Sequence, residues 1–122
     1  MGSATLQNEL WSKQPQDWSE LQEPHHRPLF SAMLHATSVS KGTVFLDVGC
    51  GGGGASVLAA QRGAEVYGVD ASKALIHIAA QRMPLAKFET ADIEYLPFPT
   101  GKFSVTFAAN ATNRWRAIRT FN

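Results

Sequence analysis

From residue 43 onward, short apolar runs alternate with stretches of helical periodicity. Thr43–Val48 is an apolar run of strand length, and Glu65–Val69 is a second, ending at Asp70. Ala86–Thr90 is a third, less apolar run, and Phe103–Ala109 is a fourth. The first gap predicts a helix over Ala55–Arg62, with Val57, Leu58 and Ala59 apolar. Gly63 suits the left-handed position after that helix. The second gap predicts a helix capped by Ser72, with Leu75, Ile76, Ile78 and Ala79 facing a sheet and Pro84 ending it. Pro97, Pro99 and Gly101 mark a loop before the fourth run. Upstream, residues 1–24 are polar, with Trp11 and Trp18 as the main apolar features, and Pro15, Pro24 and Pro28 limit helices to short pieces. A helix is predicted to begin near Pro28, with Leu29, Phe30, Met33, Leu34 and Val39 as its buried stripe. Lys41-Gly42 then turns the chain.

Strand, helix, strand, helix, strand, loop, strand is the order of an α/β fold with a parallel sheet and flanking crossover helices. Right-handed crossovers give a Rossmann-like strand order of 3-2-1-4. Its topological switch lies between the first and fourth strands, and ligands of such sheets bind there, at the carboxyl ends of the strands. The chain thus divides into a polar N-terminal segment (1–27), a half-domain (28–110) and a tail (111–122).

Composition narrows the possibilities. Of 122 residues, 44% are hydrophobic and 17% charged, a globular balance. The net charge is +1, so no clustered positive field marks a nucleic-acid surface. Arg114, Arg116 and Arg119 read as a solvated tail face. The single cysteine, Cys50, forbids an intrachain disulfide and fits a reducing compartment. No apolar run spans a membrane, and the first ten residues lack a secretory signal, so the expected location is cytoplasmic. Four histidines without zinc spacing predict no metal site.

The chemistry concentrates in Asp47-Val48-Gly49-Cys50-Gly51-Gly52-Gly53-Gly54. Glycines let the backbone take positive φ and pass close to a ligand, and the following helix aims its free N–H groups at that ligand. The segment satisfies both the dinucleotide fingerprint, Gly49-x-Gly51-x-x-Gly54, and a methyltransferase pattern, Asp47-x-Gly49-x-Gly51-x-Gly53. Asp47 separates them. Its carboxylate repels a pyrophosphate but favours the ammonium and sulfonium of S-adenosylmethionine; the alternative is that it only orders loop N–H groups. Asp70, ending the second strand, suits a pair of ribose hydroxyls in either family. Asp92 ends the third strand within reach of an adenine amino group, and Leu96-Pro97-Phe98-Pro99 can cover an adenine ring. Cys50 has no adjacent base and reads as a small loop residue.

These three segments, Leu46 to Gly53, Val66 to Ser72 and Asp92 to Phe98, resemble the class I S-adenosylmethionine-dependent methyltransferases. The likeness covers about Trp18 to Asn110 and is nearest to the type 11 group, akin to ubiquinone and menaquinone biosynthesis enzymes. The resemblance implies a cofactor site of Asp47, Gly49, Cys50, Gly51 and Gly53 around the methionine moiety. It implies Asp70 and the adjoining Ala71 at the ribose, and Asp92 with the Ile93 amide at the adenine. Asn110 falls at the end of the fourth strand, near the transferred methyl group. S-adenosyl-L-methionine is then the cofactor, S-adenosyl-L-homocysteine the product and a small molecule the acceptor. One departure is Phe103-Ser104-Val105-Thr106, where the family usually has an acid at the second position. Trp18, Glu20 and Glu23 resemble the cap that often closes over the family's substrate; the alternative is that Trp18 simply packs on the sheet.

The family continues with further helices and strands, and Ala111–Asn122 does not resemble its next segment. The expectation is a truncated or frame-shifted product that leaves the fold incomplete. The fourth strand would then be an exposed edge. It could pair with another chain, recruit the tail as a cover, or leave the chain poorly folded. Two other functions stand beside methyl transfer: a non-catalytic cofactor-binding or interaction remnant, and a fragment of a nicotinamide-dependent oxidoreductase. No general base is identified.

Overall fold

The computed structural model describes residues 23–92, 97–98, 101–109 and 115–119. Its elements are α1 (Glu23–Ala36), β1 (Val44–Val48), α2 (Gly54–Gln61), β2 (Glu65–Asp70), α3 (Lys73–Arg82), β3 (Lys87–Thr90), β4 (Val105–Ala109) and β5 (Trp115–Arg119). One sheet runs β3-β2-β1-β4-β5. The first four strands are parallel, in the 3-2-1-4 order that right-handed crossovers require.

Local sequence sets the helix ends. Ser72 caps α3, its Oγ accepting from the Leu75 N–H at 3.2 Å. Beyond α2, Gly63 adopts φ 91°. Its N–H donates to the Ala60 carbonyl at 2.9 Å, and the Ala64 N–H reaches back to Ala59 at 3.2 Å, a Schellman closure. A second such closure ends α1. The Ser38 N–H donates to His35 and the Val39 N–H to Leu34, with Ser38 at φ 57°. Val39 therefore lies past the helix rather than on its stripe, packed with Leu34 in one core cluster. The other difference is the start of α1, at Glu23, with Pro28 inside. Pro28 removes one helical donor, a cost offset by burial of Phe30 and Leu34 a turn later.

Alternation along the strands builds two cores. Phe45, Val66, Val105 and Phe107 pack with Phe30 and Leu34 of α1 and Ala55 and Ala59 of α2. Phe45 and Phe107 meet edge to face at 4.8 Å. On the opposite face Leu46, Val48, Tyr67, Val69 and Phe103 form the second cluster. Phe98 and Phe103 each meet the Tyr67 ring edge-on at 5.4 Å, and the Lys102 ammonium lies 4.3 Å from its centroid.

The tail corrects one expectation. The fourth strand is not an exposed edge available for self-association; of the three outcomes expected for it the tail serves as cover, β5 pairing with it antiparallel from Val105↔Arg119 to Ala109↔Trp115. Unpaired N–H and C=O groups of β4 find a partner a few residues downstream, where closing the loop costs little entropy. Arg119 also ties β5 to the end of α1, donating to the Thr37 carbonyl at 2.6 Å. The N-terminal cap residues Trp18 and Glu20 lie outside the described residues.

Candidate functional site

The parallel strands end together. Register pairs Val48 with Val69 and Ala108, and Asp70 with Thr90, so the segments after β1, β2 and β3 gather along one edge. Three of the sequence-marked groups meet there: the loop from Gly49 to Gly53, then Asp70 with Ala71, then Asp92. The Ala91 N–H donates to the Asp70 carbonyl at 3.0 Å, which sets Asp92 beside the end of β2. Ile93 and Asn110 lie outside the described residues.

The loop is shaped by positive φ at Gly49 (76°), Gly51 (57°) and Gly53 (92°), a sequence of turns that a Cβ would strain. Most of its donors are engaged within the protein. The Gly49 and Cys50 N–H groups both donate to the Val69 carbonyl, at 2.8 and 3.0 Å. The Gly51 N–H donates to Asp70 Oδ2 at 2.9 Å, and the Gly53 N–H to the Cys50 carbonyl at 3.0 Å. A phosphate cradle needs those N–H groups turned toward the anion. This loop turns four of them inward.

Two carboxylates bracket it. Asp47 is buried at the end of β1, and Ser56 of α2 donates to its Oδ2 at 2.7 Å. Asp70 accepts from Gly51 on one oxygen and from the Ser72 N–H on the other, both at 2.9 Å. Burial raises the Asp70 carboxyl above its ordinary range, with the N–H groups of Ser72, Gly51 and Ala71 acting in the opposite sense. Between them sits Cys50. Burial first, then the charges of Asp47 and Asp70, push its thiol well above the usual value. A thiol so suppressed is no nucleophile, as the missing base already indicated.

Of the Leu96–Pro99 stretch expected to cover an adenine ring, Leu96 and Pro99 lie outside the described residues. The Phe98 ring packs on Tyr67 and Phe103. Two contributors were not identified from sequence. Ser56 lies with Ala55 and Ala59 among the buried positions of α2, and a hydroxyl in such a stripe is a usable signal for a buried partner. Arg82 donates to the Gly52 carbonyl at 2.8 Å across a separation of 30 residues, and nothing in its local sequence marks this.

Comparison with known proteins converges on one family. A family model described as a methyltransferase domain matches residues 45–121. A trans-aconitate 2-methyltransferase of Delftia acidovorans is 40% identical over 73 residues, covering 57% of this chain and 27% of that protein. The structure of an S-adenosylmethionine-dependent methyltransferase from Mesorhizobium loti matches with a TM-score of 0.59 at 30% identity, over 69% of this chain and 39% of the other. Magnesium protoporphyrin IX methyltransferase of Synechocystis, solved with bound S-adenosylmethionine, matches with a TM-score of 0.70 over 88% of this chain and 62% of the other. At 20% identity it speaks to the fold alone. The chain spans about a third of the length of the relatives it matches. Among the described residues no helix is long and apolar enough to cross a membrane.

Proposed function

The chain belongs to the class I S-adenosylmethionine-dependent methyltransferases, and from that premise we propose that it carries the cofactor site for methyl transfer to a small-molecule acceptor. The observation supporting this most directly is the loop's polarity. Four inward-turned N–H groups and two flanking carboxylates suit an ammonium and a sulfonium, and they oppose the pyrophosphate of a nicotinamide dinucleotide.

When bound, S-adenosylmethionine supplies a methyl group already activated by its sulfonium for in-line displacement. The chain's residues bind and orient. Asp47 gives the loop negative charge while Ser56 holds its carboxylate in place. Gly49, Cys50, Gly51 and Gly53 bring the backbone close to the methionine moiety. Asp70, with Ala71 beside it, offers carboxylate oxygens already oriented by Gly51 and Ser72, so two ribose hydroxyls meet a prearranged acceptor. By likeness to the family, Asp92 and the Ile93 amide are assigned to the adenine and Asn110 to the surroundings of the methyl group. Three of the matched relatives are named trans-aconitate 2-methyltransferases. A small polycarboxylate is therefore the first acceptor to try.

Thermal unfolding of the chain with S-adenosylhomocysteine, and with NAD as control, tests the cofactor site. A ligand of the native state adds about 2.7 kcal/mol at a hundredfold excess over Kd. A melt raised by S-adenosylhomocysteine and not by NAD supports the site. A cooperative melt indifferent to S-adenosylhomocysteine refutes it.

A further inference from the structure

The loop's inner half, Gly49 to Gly51, hangs from the end of β2 through Val69 and Asp70. Its outer half, Gly52 and Gly53, is held by a different element. Arg82 Nη1 donates to the Gly52 carbonyl at 2.8 Å. A Cβ built on Gly53 would lie 2.7 Å from Met83 Cε and 3.3 Å from Ala79 Cβ. Ala79, Arg82 and Met83 are spaced i, i+3 and i+4, so a single stripe at the end of α3 presses on the loop.

The peptide joining Gly52 to Gly53 needs such a brace. Glycine on both sides leaves no Cβ to oppose rotation of that peptide plane. Its carbonyl is pinned by Arg82 and its N–H by the Cys50 carbonyl at 3.0 Å. The next carbonyl, that of Gly53, accepts the first bond of α2 from the Val57 N–H at 2.8 Å. The orientation of this peptide therefore sets both the loop's ligand-facing surface and the point where α2 begins.

The geometry points to Arg82 as a positioning residue for cofactor binding, which selects one orientation of the Gly52–Gly53 peptide from behind the loop. This rests on the proposal that the loop receives the methionine end of S-adenosylmethionine. Arg82 acts through the Gly52 carbonyl, a backbone group of the loop. Met83 and Ala79 supply the apolar wall that the loop rests against.

The test compares the parent chain with Arg82→Met, which removes the donor, and Arg82→Lys, which keeps a cation. Arg62→Met serves as control, since Arg62 donates only weakly, at 3.5 Å, to the distant Ser31 carbonyl. Three quantities are read: S-adenosylhomocysteine affinity by calorimetry, the melting temperature of the unliganded chain, and the amide signals of Gly51 to Gly53 by nitrogen-15 NMR. Loss of a charge-assisted bond predicts about tenfold weaker binding for Arg82→Met and a smaller loss for Arg82→Lys. The unliganded melting temperature stays within about 3 °C of the parent. The glycine amides of Arg82→Met split or broaden, while those of the parent and Arg62→Met stay single. Parent-like affinity with single, unshifted amides in Arg82→Met overturns the assignment. So does a loss of affinity that tracks a fall in melting temperature without recovery in Arg82→Lys. If the parent itself does not bind S-adenosylhomocysteine, the cofactor reading fails, and the glycine amides alone decide the brace.

Discussion

Removing the Ser56 hydroxyl probes the site at its most buried point. Ser56 is 0% exposed, Asp47 is 4% exposed, and 2.7 Å separates Oγ from Oδ2. Ser56→Ala leaves a buried carboxylate short of one donor, in a place water reaches poorly. A hydrogen bond to a charged group is worth about 1.5–3 kcal/mol. For a domain of this size each kcal/mol moves the melting temperature by roughly 4–8 °C, so the expected fall is on the order of 10 °C. Circular dichroism at 222 nm follows the melt. A double-mutant cycle with Asp47→Asn then assigns the cause, because the Ser56→Ala cost should shrink by more than half once the charge is gone. A fall of under 2 °C, or the same cost in both backgrounds, would refute the reasoning.

Other perturbations address separate features. Gly53→Ala places a Cβ at φ 92° and should cost about 1–2 kcal/mol, measured by urea unfolding. Adding Met83→Ala relieves the steric part while leaving the backbone strain, so recovery stays incomplete. Ser38→Gly relieves the positive φ that ends α1 and should raise stability by about 0.5–1 kcal/mol in the same assay. Asp70 has its pKa raised, so between the ordinary carboxylate value and its own the native chain holds the proton more tightly than the unfolded one. Its contribution to stability therefore falls as pH rises through that window. S-adenosylhomocysteine affinity, which uses the ionised carboxylate, falls as pH drops through the same window, and calorimetry should find this dependence absent in Asp70→Asn. Removing residues 115–122 bares β4 and should produce concentration-dependent association by light scattering.

Much of this was legible because the signals were local. Gly63 and Ser72 stand at helix ends whose hydrogen bonds reach only a few residues, and each behaves as its type predicts. Asp47, the glycines and Asp70 were legible as a set because strand ends in a 3-2-1-4 sheet converge by topology. The start of α1 was misjudged because Pro28 reads as a first-turn residue, and only burial of Phe30 and Leu34 shows that the helix tolerates it further in. Arg82 escaped because its partner is remote in sequence, and Ser56 because its one signal, a hydroxyl in the buried stripe of α2, was not read. Pairing of β5 was legible only as one of three outcomes, the tail recruited as a cover, because Trp115-Arg116-Ala117-Ile118-Arg119 has no clean alternation and its place is fixed by the open hydrogen bonds of β4.

The antiparallel β5 also bears on the order in which the chain assembles. β1 meets β2 through a nearby crossover, but the link from Val44 to Ser104, which brings β4 in, spans 60 residues. Such long-range closure is the slow step of a fold of this kind. β4 and β5 are close enough in sequence to zip into a hairpin on the microsecond scale beforehand. The last strand to dock on β1 then arrives as a two-stranded ribbon with one side already satisfied, which shortens the interval in which a nascent chain offers a bare apolar strand to its neighbours.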